Sequence, residues 1–157
     1  MEDIFNALLN VRVKTRKGSY LPNKPLVLLV ALARCQQGKT RLAPFYIYEE
    51  LLALVYREFG NLNAVFPFGR LPADGIWEIL GDAELHRNKS GDLIRSELLT
   101  KSVLGGFPAH VYEALSGDRN LLINVAIKLL EKYISPEKSN ATILTKPGNP
   151  PALPGWP

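Results

Sequence analysis

Glu84 and His86 stand two apart in "AELHRN". On a strand both would face one side and offer a metal an oxygen and a nitrogen. No third ligand keeps a suitable spacing, and His110 is the only other histidine. Asp74 and Glu78 in "ADGIWEIL" are a carboxylate pair of the kind a metal-dependent nuclease uses. The lysine that such a site needs shortly afterwards is missing, so Glu78 reads as a strand residue facing water. Gly38-Lys39-Thr40 has the ending of a phosphate-binding P-loop. That motif requires a glycine five places earlier, where Ala33 stands, and a strand in front, where an apolar helix is expected. Cys35 lies inside that apolar run, and no Ser/His/Asp or Cys/His arrangement follows from spacing. The sequence therefore predicts no catalytic residue, no metal site and no cofactor, and the chain by itself reads as a non-enzyme.

Charge is more informative. The net charge is a modest +4. Between Asp3 and Glu49, however, there is no acid, while Arg12, Lys14, Arg16, Lys17, Lys24, Arg34, Lys39 and Arg41 fall in the same interval. A block of this kind points to a polyanion partner, with a solvated face that only keeps the protein soluble as the alternative.

The stretch "GGFPAHVYEAL", Gly105 to Leu115, places two glycines, an aromatic and a proline directly before a helix. Helix starts attract anions because their first amides lack partners within the helix. Proline contributes no N–H there. Apolar bulk is thus set where an anion would be drawn. Read alone, Phe107 is better taken as a core aromatic, with Pro108 an ordinary first helical residue.

These residues need elements to hold them. At 157 residues the chain suits one domain. Six of its twelve prolines follow Ser135, so residues 1–135 read as the folded domain and 136–157 as a proline-rich linker or tail. Glu2 to Val11 is predicted to be a short amphipathic helix. Asn23-Lys24-Pro25 opens a second, with Pro25 at its first position and the body "LVLLVALARC" apolar nearly all round, which belongs at the centre of the core. Gly38 ends it, Thr40 to Leu42 forms a short strand, and Tyr46 to Phe59 a third helix. "AVFPFGRLPADGIWEIL" is predicted to be a hairpin, with Pro72 to Gly75 as its turn and Ile76 to Leu80 returning. "HRNKSGD" makes a second turn, and Leu93 to Leu99 is open between helix and strand. Pro108 opens a helix to about Leu115. Asp118 caps the last one, whose stripe runs from Leu121 to Tyr133. The expected class is α+β, mainly helical, with helices around a small antiparallel sheet in a winged-helix-like arrangement.

A lone cysteine cannot form an internal disulfide, and the Met1 end is unlike a signal peptide. The longest apolar run, Leu26 to Ala33, is too short to cross a membrane. A reduced, cytoplasmic setting without a membrane partner is expected.

Three stretches, "NKPLVLLVALARCQQG", "FPFGRLPADGIWEI" and "GGFPAHVYEAL", resemble in their order and spacing the sulfur-binding domain of phosphorothioate-dependent type IV restriction endonucleases of the McrA-like, HNH kind. The resemblance covers roughly Tyr20 to Ser135. It implies a reader of double-stranded DNA whose backbone carries sulfur in place of one non-bridging oxygen. It also implies a linked HNH nuclease domain, which this chain does not contain. Arg70 in "PFGRL" matches the family arginine near the modified phosphate. Gly69 stands where relatives can carry a polar side chain, so that contact is absent here. Phe107 and Pro108 match the aromatic–proline pair that lines the sulfur pocket, with Gly106 before them and Ala109 or Val111 beyond. Lys24, Lys39, Arg41, Arg87 and Lys89 are the expected phosphate contacts, and Gln37 an expected base contact.

The residue types suit sulfur. A phosphorothioate keeps its charge, but sulfur is larger, softer and a poorer hydrogen-bond acceptor than oxygen. A reader then needs positive potential together with a dry concave surface. Pro108 removes a donor that would favour oxygen, and Gly105 and Gly106 are expected to allow close approach and unusual torsions.

Overall fold

The computed structural model describes residues 2–16, 19–55 and 63–134. Helix α2 (Asn23–Gln36) is the axis of the domain. Pro25 to Ala33 and Cys35 are buried, as an all-round apolar helix requires. Pro25 is the third residue of this helix, not the first. It still falls in the first turn, where an N–H has no helical partner. The C-terminal glycine is as expected: Gly38 has φ +73° and its N–H donates to Cys35 O. The "GKT" glycine therefore closes a helix and does not cradle a phosphate.

The final helix, α7 (Arg119–Tyr133), packs along α2, and helix α1 (Glu2–Leu9) packs against α7. The Asp118 side chain caps α7 by accepting from Leu121 N–H at 3.0 Å. A two-residue ribbon, β1 (Thr15–Arg16) with β2 (Ser19–Tyr20), leads into α2. After α2 come β3 (Leu42–Pro44) and α3 (Phe45–Val55). The expected end of α3 at Phe59 lies outside the described residues, as does the tail 136–157.

The expected hairpin is half right. Its first arm is a helix, α4 (Val65–Arg70), followed by a 3₁₀ turn at Leu71–Asp74. Asn63 Oδ1 accepts from the N–H groups of Val65 and Phe66, at 2.8 and 3.3 Å, which starts the helix. Pro67 again occupies a first-turn position that needs no donor. The turn ends at Gly75 with φ +80°. The returning arm shortens to β4 (Glu78–Ile79), and its partner is a strand the sequence did not reveal. That strand is β5 (Leu104–Gly106), the centre of an antiparallel sheet in the order β3-β5-β4. Gly106 lies opposite both Leu42 and Glu78, and Gly105 opposite Ala43 and Ile79. Residues 95–100 resolve as a helix, α5 (Arg95–Thr100), and the chain from Pro108 forms α6 (Ala109–Gly117). The outcome is mainly helical with a small antiparallel sheet.

Gly105 and Gly106 have ordinary strand torsions, which corrects the expectation of unusual ones. Their need for glycine is spatial. A Cβ on Gly105 would sit 2.5 Å from Phe68 Cζ, and one on Gly106 only 2.2 Å from the carbonyl oxygen of Arg41. The side chains over this sheet form an aromatic cluster. Phe68 meets Phe45 edge-on at 5.2 Å, and Trp77 lies against Tyr48 at 5.3 Å and Phe107 at 5.8 Å. Tyr48 O–H is satisfied within it by Gly105 O at 2.8 Å.

Candidate nucleic-acid interface

The candidate residues gather into two groups, one at each end of α2. The first surrounds a cleft of about 480 Å³ at the start of the helix. Four cations line it, Arg12, Lys14, Lys24 and Arg70, beside the apolar faces of Phe66 and Pro67. Lys24 Nζ bonds Asp74 Oδ2 at 2.7 Å, and Asp74 Oδ1 accepts the Arg12 backbone N–H at 2.9 Å. Asp74 thus ties the 3₁₀ turn to α2 and to the chain before the ribbon.

Arg70 does not reach Asp74 across the turn. Its Nε and Nη2 donate to the two oxygens of Asp92 at 2.8 and 2.9 Å, a side-on bidentate pair. The guanidinium carbon also lies 4.5 Å from the centre of the Phe66 ring. Asp92 is the one polar or charged residue in the buried set among the described residues, at 6% exposure. The Arg70 hydrogen bonds hold its carboxyl below the usual range against the opposing effect of burial, and Arg70, Lys14 and Arg87 add charge in the same direction. Lys14 and Arg87 therefore share this surface with Arg70. Arg87 donates to Asp82 at 2.5 Å and to Gly91 O at 3.1 Å, and Lys89 is exposed on the same turn. Asn88 Oδ1 accepts from the N–H groups of Ser90 and Asp92, and Gly91 takes φ +85°, so the "NKSGD" turn is built by its own residues. Gly69 is half-buried, and a Cβ there would meet Leu93 at 3.3 Å.

The second group lies where β5 runs into α6. Phe107 is buried at 1% exposure, its ring edge-on to Trp77. Pro108 caps α6 from outside the helix with φ −59° and ψ 157°, and is half-buried. Ala109 and His110 face solvent, whereas Gly106 and Val111 are buried. The segment presents the Pro108–Ala109 edge outward, with Phe107 and Val111 behind it. The guanidinium bonded to this segment is that of Arg41. Its Nη1 donates to Phe107 O at 3.0 Å and to Glu78 at 2.6 Å. Glu78, expected to face water alone, is thereby an ion-pair partner. Tyr112 O–H donates to Lys39 O at 2.5 Å, and Cys35 Sγ lies 4.0 Å from Tyr112 O, so α6 meets the far end of α2. Gln37 is half-buried at that end. Because α2 has 14 residues, the two groups flank a helix about 20 Å long.

His86 finds a carboxylate in place of a metal: its Nδ1 lies 2.8 Å from Glu97 Oε2, which also binds Lys101 at 2.8 Å. The Lys101 and His86 hydrogen bonds pull Glu97 down from 4.5 to about 2. Asp92 is shifted in the same direction. Both carboxylates contribute stability that is present above their ordinary range and lost as pH falls through the lowered values. The melting temperature should therefore decline as pH drops from about 4.5 towards 2, and Glu97→Gln should flatten that decline, as followed by circular dichroism.

Cations thus line an open cleft at one end of α2, and a proline-led helix start lies at the other. The chain belongs to the family of ScoMcrA-like DNA sulfur-binding domains, whose family model matches residues 1–148. The sulfur-binding domain of ScoMcrA, solved in complex with phosphorothioated DNA, is similar to it with a TM-score of 0.76 at 20% identity, over 82% of this chain and 85% of that chain. The sulfur-binding domain of SprMcrA, likewise complexed with phosphorothioated DNA, gives a TM-score of 0.68 at 19% identity, over 86% of each. In the type IV phosphorothioation-dependent restriction endonuclease ScoMcrA, the match covers 82% of this chain and 29% of that one, with a TM-score of 0.73 at 19% identity. At such identities the likeness is one of fold. No curated sequence matches the chain. Among the described residues no helix is long and apolar enough to cross a membrane.

Around the candidate site, sequence reasoning missed Phe66 and Asp92 and the tie of Asp74 to Lys24. Asp74 and Asp92 act on residues distant in the chain, with Lys24 and Asp74 separated by 50 positions and Arg70 and Asp92 by 22, whereas Phe66 lies one helical turn before Arg70. The only local signal for Asp92 is its place at the end of a glycine turn.

Proposed function

We propose that this chain binds double-stranded DNA carrying a phosphorothioate and tells sulfur from oxygen by the Gly106–Val111 segment. The observation that carries this reading is the exit of β5. A helix start there has proline at its cap, so the nearest donor is missing, and the buried Phe107 and Val111 back an outward Pro108–Ala109 edge. Arg70, Lys24, Arg87 and Lys89 serve the phosphates on one side, and Lys39, Arg41 and Gln37 serve the DNA at the other end of α2. Gly69 contributes close packing against Leu93 and no side-chain contact. The domain is read as residues 1–135, with 136–157 as the link to an HNH nuclease that it directs to modified DNA in the cytoplasm.

The magnitudes support a usable sensor. Covering about 40 Å² of sulfur is worth roughly 1 kcal/mol. Placing an oxygen in the same spot without a donor costs about 1–3 kcal/mol. Together they give a preference of roughly 30- to 1,000-fold. Pro108→Ala returns an N–H to the helix start and removes part of the apolar edge. Affinities measured by anisotropy on two duplexes differing in one sulfur should show the preference falling about 10-fold, mainly through tighter binding of the oxygen duplex. An unchanged ratio would place the sulfur contact elsewhere.

A further inference from the structure

We propose that Asp92 is a positioning and selectivity residue: with the Phe66 ring it clamps the Arg70 guanidinium in one plane, cancels part of its charge, and leaves a single edge for DNA. This rests on the DNA-binding reading above. Nε and Nη2 of Arg70 are both committed to Asp92, while Nη1 has no protein partner among the described residues. A carboxylate so placed holds the fork as a phosphate would hold it, and it competes with phosphate for those donors.

Stability alone does not explain the arrangement. A buried ion pair roughly offsets its own desolvation, and apolar side chains of similar volume do as well or better. Here the carboxylate is 6% exposed while Arg70 stays about one-third exposed, so the buried partner serves the open one. Asp92 also lies among Lys14, Arg70 and Arg87, and its own position is fixed by Asn88. A buried anion within a basic surface lowers the attraction of every duplex, modified or not. What it gives in return is a guanidinium presented in one orientation, which rewards only a backbone seated in the correct register. Asp92 therefore weakens indiscriminate binding more than specific binding.

The test compares the full chain and Asp92→Asn on a sulfur-bearing duplex and its unmodified twin across a salt series. One further uncompensated charge steepens the salt slope by about 0.9 and is worth roughly 8-fold at 0.1 M salt. Asp92→Asn should thus bind the unmodified duplex roughly 5- to 10-fold more tightly with a steeper slope, gain less on the sulfur duplex, and so lose selectivity. Unchanged affinity and slope, or weaker binding to both duplexes, would overturn the proposal. Should the variant not fold by circular dichroism, the wild-type chain decides. The Arg70 Nε–Hε resonance should stay slowly exchanging and little shifted when the sulfur duplex is added, and its displacement would overturn the proposal. If wild type shows no sulfur preference, the functional reading fails, while the slope and the unmodified-duplex affinity still judge Asp92.

Discussion

Gly106→Ala should destabilise the domain by about 3 kcal/mol, near the upper end for overpacking a core. The added Cβ would stand 2.2 Å from the carbonyl oxygen of Arg41, with Leu42 Cα at 3.4 Å. Both are backbone atoms, so no rotamer change relieves the contact. Relief requires β3 to move away from β5, which breaks the Leu42–Gly106 pairing and carries Arg41 away from Phe107 O. Urea unfolding followed by circular dichroism measures the loss as a lower midpoint at constant slope. Gly117 supplies the control. Nothing lies within 4 Å of its Cβ position and it closes α6, so Gly117→Ala should be neutral or mildly stabilising.

The same contact shows why part of the fold was legible and part was not. Helices α1, α2 and α7 follow from apolar periodicity and end signals such as Asp118 and Gly38, which act within a few residues. Strand β5 carries no comparable signal. Two glycines are poor strand formers, and they sit in the central strand because Phe68 and the Arg41 carbonyl leave no room for a side chain. The segment 65–70 misled for the opposite reason. Its aromatic residues suit a strand, but Asn63 supplies a helix cap and Pro67 falls where helices tolerate it. For the site, residue types and their order pointed to Arg70, Lys24 and the Phe107–Pro108 pair. The ion pairs that fix those residues, to Asp92, Asp74 and Glu78, depend on tertiary packing and have no local pattern. The inward turn of Phe107 is likewise set by Trp77 across the sheet.

Arg70→Ala carries the other large effect: affinity for a sulfur-bearing duplex should fall by roughly 10- to 100-fold, the loss of a charged hydrogen-bond contact worth about 1.5–3 kcal/mol. The salt slope should flatten by about 0.9, since one phosphate contact is lost. Arg70→Lys separates the two contributions. It keeps the charge and hence most of the slope, but it loses the fork held by Asp92 and the stacking on Phe66. Its affinity should fall between those of wild type and Arg70→Ala. The alanine change also strands the buried Asp92 carboxylate, which is destabilising, so binding is compared well below the melting point of the variant. A variant that binds as wild type does would remove Arg70 from the interface and leave Arg41 as the guanidinium beside the sulfur segment.

The most direct measurement of the account is a titration of the wild-type chain with two duplexes of one sequence, alike except for a single sulfur at one backbone phosphate, at fixed salt near 0.15 M. The account predicts that the sulfur duplex binds at least roughly 30-fold more tightly, the sum of a covered soft atom and an oxygen denied its donor. Equal affinity for the two would contradict it.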